Sequence, residues 1–493
     1  MKLAQLSSVV LLSAAALEAL ADPAVSSPER QRKTCVIKAS GTNATDDGPA
    51  IREAFENCGQ HSRVVFEATT YYVNSILDIR GLEDVDIDIY GKLLWSTDIQ
   101  YWLNHSLPVG YQNQSTAFIL GGNNLRIDGH NTGTFDGNGD YWYSFISKQS
   151  VHSNFPGRPH ALTLNGLTNS VVTGLNFLRS QMWTLSMIYC HHVELNDIFV
   201  NNTGNSVQSS NTDGADSIRS SFIQFDNWTV YNGDDSISLK GNSTDISITN
   251  SHFYRGLGIA LGSIGQYKGE FETLERLYVD NIFFENTDHA VYFKTWTGDQ
   301  NGFPPNGGGG GLGFCAKGTD HSRPSPPSLR SGGPPNRAAQ IGTLKPRSRG
   351  SLWRAPLALT PRHEVVLAFG SLCSVPAPSS AGVLSPPTAL RASIVAFSQC
   401  TTFSGAPANC TNSPFQIRDI TVTGIQGTSN SPRVASLQCS AVAPCDNIAL
   451  SEIDITLSNG TQISQYLCGN VENPRGFNCT GPVCVGPSAA GEC

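Results

Sequence analysis

The chain has 493 residues, 48 of them Gly and 27 Pro, and a formal net charge of −8. Such a length fits two or three ordinary domains or one elongated repeat fold. The acidic balance excludes the broad basic face of a nucleic-acid binder, and beyond the N-terminus no run nears the roughly 18 apolar residues of a membrane-spanning helix.

Lys2, an apolar run from Leu6 to Leu17 and the small-residue end Ala19-Leu20-Ala21 form a secretory signal peptide over residues 1–21, with cleavage expected after Ala21. Thirteen cysteines agree with passage through an oxidising, glycosylating compartment, as do the Asn-x-Ser/Thr sequons at Asn43, Asn104, Asn113, Asn201, Asn227, Asn242, Asn409, Asn459 and Asn478. A secreted, extracellular monomer is expected, with no cofactor and no membrane partner. Close spacing makes Cys400 with Cys410 and Cys439 with Cys445 natural loop-closing pairs and Cys35 with Cys58 a third, although spacing alone does not fix connectivity.

A short motif with apolar residues at positions 1, 3, 6 and 8 recurs along the chain. It reads Val193, Leu195, Ile198, Val200, then Ile223, Phe225, Trp228, Val230, then Ile246, Ile248, Phe253 with Ser251 in the third slot. It continues as Leu277, Val279, Ile282, Phe284, as Phe415, Ile417, Ile420, Val422, and as Ile448, Leu450, Ile453, Ile455, with fainter copies near Leu125 and Val172. Alternation at period two gives a strand with one buried face, and the change of phase between positions 3 and 6 requires a bend, marked here by Asn or Asp. Starts at 193, 223, 246 and 277 are one solenoid coil apart. No unit buries its apolar face alone, so stacked coils form an all-β, right-handed parallel β-helix. A β-sandwich would instead show short hairpin turns.

Two acidic clusters, Asn211-Thr212-Asp213-Gly214 and Gly233-Asp234-Asp235, lie about one coil apart. Residues one coil apart in a solenoid are side by side, about 4.8 Å away. Asp213, Asp234 and Asp235 therefore converge, and mutual repulsion holds one of them protonated near working pH. A protonated acid beside ionised partners suits glycoside hydrolysis. Each cluster alone would read as a calcium site or as solvated turns; both at this spacing favour catalysis, with no metal.

From Leu277 to Phe415 the repeat lapses. Residues 317–393 hold twelve prolines and ten Lys or Arg against two acidic residues, Asp320 and Glu364. This stretch is expected to be an irregular insertion, most simply translated non-coding sequence, interrupting one catalytic β-helix made of residues 22–316 and 394–493.

Asn-Thr-Asp-Gly followed by Gly-Asp-Asp, a Gly-rich turn and a Lys-containing strand resembles glycoside hydrolase family 28, the polygalacturonase family. Tyr292-Phe293-Lys294-Thr295-Trp296 and the stretch from Asn301 to Gly313 are similar to its fungal exo-acting members. The resemblance implies the pectin-lyase-like β-helix, a pectic polysaccharide as substrate, and inverting release of galacturonate from the non-reducing end of 1,4-α-galacturonan. Exo-hydrolysis of rhamnogalacturonan is the alternative, and a polysaccharide lyase or an inert β-helix sugar-binding protein are distant ones. Asp234 is then the general acid, while Asp213 and Asp235 position and deprotonate water across a gap of roughly 6.5–9.5 Å between carboxyl groups. Two departures stand out: the family's Gly-His-Gly appears as Gly256-Leu257-Gly258, and its Arg-Ile-Lys as Tyr292-Phe293-Lys294. Lys294, Tyr292, His289 and Arg255 are the expected substrate-binding residues. Arg219 is a further candidate to replace the lost arginine, and Trp296, Trp183 and Tyr267, like Tyr292, are candidates for stacking on sugar faces.

Overall fold

The computed structural model describes residues 32–204, 210–299, 308–315, 365–368, 390–403, 406–483 and 485–487. The signal segment and most of the Pro-rich stretch lie outside these residues. Thirty strands join into one continuous sheet, paired in parallel, as expected of a β-helix. Val193, Ile223, Ile246 and Leu277 share one column, and Leu195, Phe225, Ile248 and Val279 the next. All eight are buried. At the expected bend Asp197, Asn227, Asn250 and Asn281 adopt φ values of 57, 55, 53 and 54°, a left-handed conformation these short polar side chains tolerate. Their side chains also ladder, with Asn227 Nδ2 donating to Asp197 Oδ1 at 2.6 Å and Asn281 Nδ2 to Asn250 Oδ1 at 2.8 Å. Ser251, the polar residue in an apolar slot, is buried but satisfied: it accepts from the Trp228 amide at 3.0 Å and donates to the Thr249 carbonyl at 2.7 Å.

An open parallel stack exposes a strand edge at its end. Near the N-terminal end the helix Gly48–Asn57 lies against the first strands and buries Ile51 and Phe55. All three expected disulfides form, Cys35–Cys58, Cys400–Cys410 and Cys439–Cys445, together with Cys468–Cys479. Of the nine sequon asparagines, eight are exposed and Asn201 is half-buried.

In the long gap of the repeat, one rung is assembled from two pieces. Leu312–Cys315 pairs with Phe271–Leu274 on one side and reaches Phe415–Ile417 on the other, and Val365–Ala368 pairs with Ile420–Thr423. The expectation of no strand in residues 317–393 thus fails at Val365-Val366-Leu367-Ala368, an apolar, partly β-branched run that meets the strand rule locally.

Five stacked strands carry the chemistry: β1 (Ala215–Ile218), β2 (Asp235–Leu239), β3 (Gly258–Ile264), β4 (Val291–Trp296) and β5 (Val395–Thr401). Their inward residues, Ala215, Ile237, Ile259, Val291 and Val395, belong to the core. Their outward column runs Asp216, Ser238, Ala260, Tyr292, Ala396.

Phe225 fills the middle of the stack with 0% exposure. Phe225→Ala is expected to cost about 3–5 kcal/mol, measured by denaturant unfolding; a loss below about 1 kcal/mol would contradict a continuous close-packed core.

Candidate active site

Simple alternation along β2 would put Asp235 on the face opposite Ser236 and Ser238. The register with β3 slips by one residue between Asp235 and Ile237, so that Asp235 faces Gly258 while Ser238 faces Ala260. Such a bulge re-aims a side chain, and it brings Asp235 onto the outward face, beside Lys294 and Tyr292. Asp213 lies one coil away, where the Gly214 amide donates to the Asp235 carbonyl at 3.0 Å. One oxygen from each of Asp213, Asp234 and Asp235 lies within 4.8 Å of the others. The expected convergence of the two acidic clusters is therefore present, but the expected gap of roughly 6.5–9.5 Å between carboxyl groups is not: their nearest oxygens stand closer, because the carboxylates occupy adjoining turns of neighbouring coils.

The surroundings of the three differ. Asp234 is half-buried, and its oxygens accept from the Asn211 amide at 2.6 Å and the Asp235 amide at 3.0 Å. Asp213 and Asp235 are buried, and Asp213 Oδ1 has no hydrogen-bond partner among the described residues. Asp235 Oδ2 lies 3.1 Å from Lys294 Nζ, and its Oδ1 accepts the Tyr292 hydroxyl. Burial and the neighbouring Asp235 charge raise the proton affinity of Asp234 above the usual carboxylate range. Burial, then Asp234, Asp216 and Asp235, push Asp213 well above it. For Asp235 burial acts upward too, but Lys294, Lys240 and the Tyr292 hydroxyl hold it below its ordinary value. One ionised carboxylate thus sits beside two that favour the neutral form, the pattern that acid/base catalysis uses.

Three carboxyl oxygens this close could ligate a cation, but the donor set fits one poorly. Lys294 Nζ already lies against Asp235 Oδ2, with Lys240 Nζ 4.0 Å from the same oxygen, and the other two carboxyls disfavour charge.

Several of the other sequence candidates need correction. Tyr292 was expected to stack on a sugar face, yet it has 0% exposure and packs with Ala260, Ala396 and the half-buried Leu257. Lys294, expected to meet substrate, is 9% exposed, pairs with Asp235, and sits over the Tyr292 ring at 5.0 Å. His289 is buried, its Nδ1 donating to the Ser393 carbonyl at 2.6 Å. Trp183 and Trp296 are buried as well, while Tyr267 is half-buried. Arg255 is exposed and stands one rung from Asn232, whose Nδ2 donates to the Asp235 carbonyl at 2.6 Å. It borders the cluster. Arg219 is half-buried over the Tyr189 ring, 5.8 Å from its centroid.

Several site residues went unnoticed in the sequence. Lys240 lies in the floor, 3.2 Å from Asp216 Oδ1, donating to Ser238 Oγ at 2.6 Å and the Gly262 carbonyl at 2.9 Å, with its Nζ 4.9 Å from the Trp183 ring centroid. Asp216 is fully buried and pushed up to about 7 by burial, against the pull of Lys240. His160 stacks on Trp183, shares a 2.6 Å hydrogen bond with Ser186 and is held neutral by burial, its pKa lowered to about 3. Arg158, also buried, donates to the Gln181 and Ser210 carbonyls at 2.6 and 3.0 Å. The sequence did hold a signal for Lys240: it follows Ser236 and Ser238 at period two. The Gly-Leu-Gly turn closes the site from β3. A Cβ on Gly256, which has φ +59°, would meet the Asp234 carbonyl oxygen at 2.3 Å, so only glycine allows this approach.

Comparison with known proteins agrees with this fold. The chain is 48% identical over 466 residues to an α-L-rhamnosidase of Aspergillus niger, covering 94% of this chain and 93% of the relative. It is 28% identical over 473 residues to the exopolygalacturonase of Cochliobolus carbonum, covering 93% and 88%. Among solved structures, an endo-xylogalacturonan hydrolase from Aspergillus tubingensis shares the fold with a TM-score of 0.65 at 22% identity, over 91% of this chain and 99% of that one. The sequence profile described as "Glycosyl hydrolases family 28" matches residues 83–302 and 401–479, leaving the interrupted stretch between them unmatched. The three-carboxylate cluster thus stands on a parallel β-helix of a chain that belongs to glycoside hydrolase family 28, as the resemblance in its Asp motifs implied.

Proposed function

We propose that the protein is a secreted, exo-acting hydrolase of pectic polysaccharide that removes the non-reducing terminal sugar with inversion. The opposed proton affinities inside the Asp213, Asp234, Asp235 cluster carry this reading. Asp235, ionised beside its lysines, takes a proton from water as that water attacks the anomeric carbon. Asp234, protonated and the most open of the three, gives its proton to the departing glycosidic oxygen. Asp213, neutral, orients the water. Lys240 and Lys294 keep Asp235 charged. Exo action is supported by the arm Leu107–Thr116, whose Tyr111 and Gln112 bond across to Ser263 and Gln266 at 3.3 and 2.8 Å. Tyr111 also packs near Trp183, beside Lys240, which makes one side of the site closed.

For the sugar, rhamnose at the end of a rhamnogalacturonan chain is the reading best supported. Leu257 and Tyr292 stand where the family places an imidazole and an arginine, so two groups suited to a uronate are missing, and an apolar side chain suits a 6-deoxy sugar. The similarity to an α-L-rhamnosidase points the same way. Release of galacturonate is the second reading, favoured by the Lys294 charge and by the similarity to an exopolygalacturonase.

Incubation with rhamnogalacturonan oligosaccharides ending in rhamnose and with oligogalacturonides decides between them. Free rhamnose of inverted configuration, followed by NMR, is expected; galacturonate as the only product would establish the second reading, and an ultraviolet-absorbing unsaturated product would overturn hydrolysis altogether. Asp234→Asn should lower kcat about 10²–10⁴-fold with KM nearly unchanged, and near-normal turnover would remove Asp234 from its role. Lys240→Met, which leaves Asp216 buried without its cation, should cost about 3–5 kcal/mol in unfolding experiments. Adding Asp216→Asn should recover much of that loss, and strict additivity of the two changes would show that the pair is not coupled.

A further inference from the structure

From the contacts of β4 we infer that Tyr292 is a positioning residue: its buried hydroxyl fixes and keeps ionised the carboxylate of Asp235, two coils below it. The inference rests on the reading of Asp235 as the group that activates water. Tyr292 lies in the column of Ser238 and Ala260. Two rungs correspond to about 9.6 Å of stacking distance, too far for neighbouring side chains to meet unless the residue between them is small. The outward β3 residues between them are Gly258, paired with Asp235, and, paired with Tyr292 itself, Ala260. Its methyl group leaves room for the phenol ring to lie along the stack, where Ala396 on the far side and Leu257 at the turn complete an apolar sleeve. A ring enclosed in this way has one polar atom to satisfy, and the Tyr292 hydroxyl meets that need by donating to Asp235 Oδ1.

This geometry gives Asp235 two different partners. Oδ2 faces Lys294 at 3.1 Å and Lys240 at 4.0 Å, whereas Oδ1 accepts from the phenol. The lysines supply charge; the hydroxyl supplies direction. With both oxygens engaged, rotation of the carboxylate is restrained while one of its oxygens stays within 4.8 Å of oxygens of Asp213 and Asp234. The phenol itself keeps its proton, since burial and then the Asp235 and Asp234 charges raise its pKa well above the ordinary value. The charged and titratable groups around Asp235 are Lys240 just past the end of its own strand, Tyr292 and Lys294 on β4, Asp216 on β1, and Asp213 and Asp234 in the adjoining turns. His289 adjoins the ring of Tyr292 rather than the carboxylate, with ring centroids 5.0 Å apart.

Tyr292→Phe tests the inference because it removes the hydroxyl and keeps the ring in its sleeve. Loss of a hydrogen bond to the ionised form raises the proton affinity of Asp235. The acid limb of the kcat/KM pH profile should therefore move to higher pH by about one unit, a tenfold loss of rate on that limb, with kcat lowered more than KM. An unshifted limb with wild-type kcat would overturn the inference, and so would a variant that loses stability yet keeps the wild-type pH profile. Ala260→Leu provides an independent approach: it fills the space the ring needs while leaving every polar group in place, and it should shift the same limb in the same direction. No shift in a folded Ala260→Leu protein would also count against the inference. The profile is to be measured on whichever oligosaccharide the wild-type protein hydrolyses, so a mistaken sugar assignment would appear in the product and not in the limb. Restored turnover of oligogalacturonides is not expected from Tyr292→Phe, because the change adds no cation.

Discussion

Everything in this molecule depends on strict parallel register. Each coil places a residue about 4.8 Å from its counterpart one coil away, so side chains form columns, and a column works only when its members are compatible. On the inner face the requirement is apolar bulk, met by Leu195, Phe225, Ile248 and Val279. On the outer face the same register forces charged groups together. Asp213, Asp216, Asp234 and Asp235 gather within two coils, and the energy of that crowding is offset by Lys240, on the coil of Asp235, and by Lys294, two coils further on. Fold and site are therefore one constraint applied to two faces of the same sheet.

Much of this was legible in the sequence for a physical reason. The inner columns repeat one chemical requirement coil after coil, so Val193, Ile223, Ile246 and Leu277 appear as a pattern without knowledge of the structure. The bend residues are legible too, because a left-handed residue between two strands selects Asn and Asp, as at Asn227 and Asn250. Cysteines that close loops as short as Cys439 to Cys445 have few other partners within reach. The carboxylates stand out because two acidic turns recur one coil apart.

What the sequence hid lies on the outer face, where a column carries different chemistry at each rung. Alternation tells which way Tyr292 points but not that Ala260 leaves it a path to Asp235. The bulge at Ser236 reverses the phase that would have turned Asp235 inward, and nothing in Asp-Asp-Ser-Ile-Ser declares it. Lys240 was passed over because a lone lysine usually belongs to solvent; its burial follows from Ser238, two residues earlier on the same coil, and Gly262 on the next, which supply oxygen atoms instead of bulk. Val365–Ala368 was missed for the opposite reason, since the Pro-rich composition around it outweighed four residues of local pattern.

The balance of charge under the site sets limits on its chemistry. Four carboxyl groups face two lysines within the cluster, and a buried assembly of this kind tolerates little net charge. Two carboxylates can be matched by the two ammonium groups; the other two are most stable with their protons. Asp235, with both lysines close to one oxygen, takes the first negative charge, while Asp216, although 3.2 Å from Lys240, is pushed up to about 7 by burial. The protons then fall to Asp213 and Asp234, the two carboxyls without a lysine in contact, and of these Asp234 alone is partly open to the outside. A proton held at the mouth of the site by the neutrality of its interior can be given to a leaving group and regained from solvent without moving any other charge.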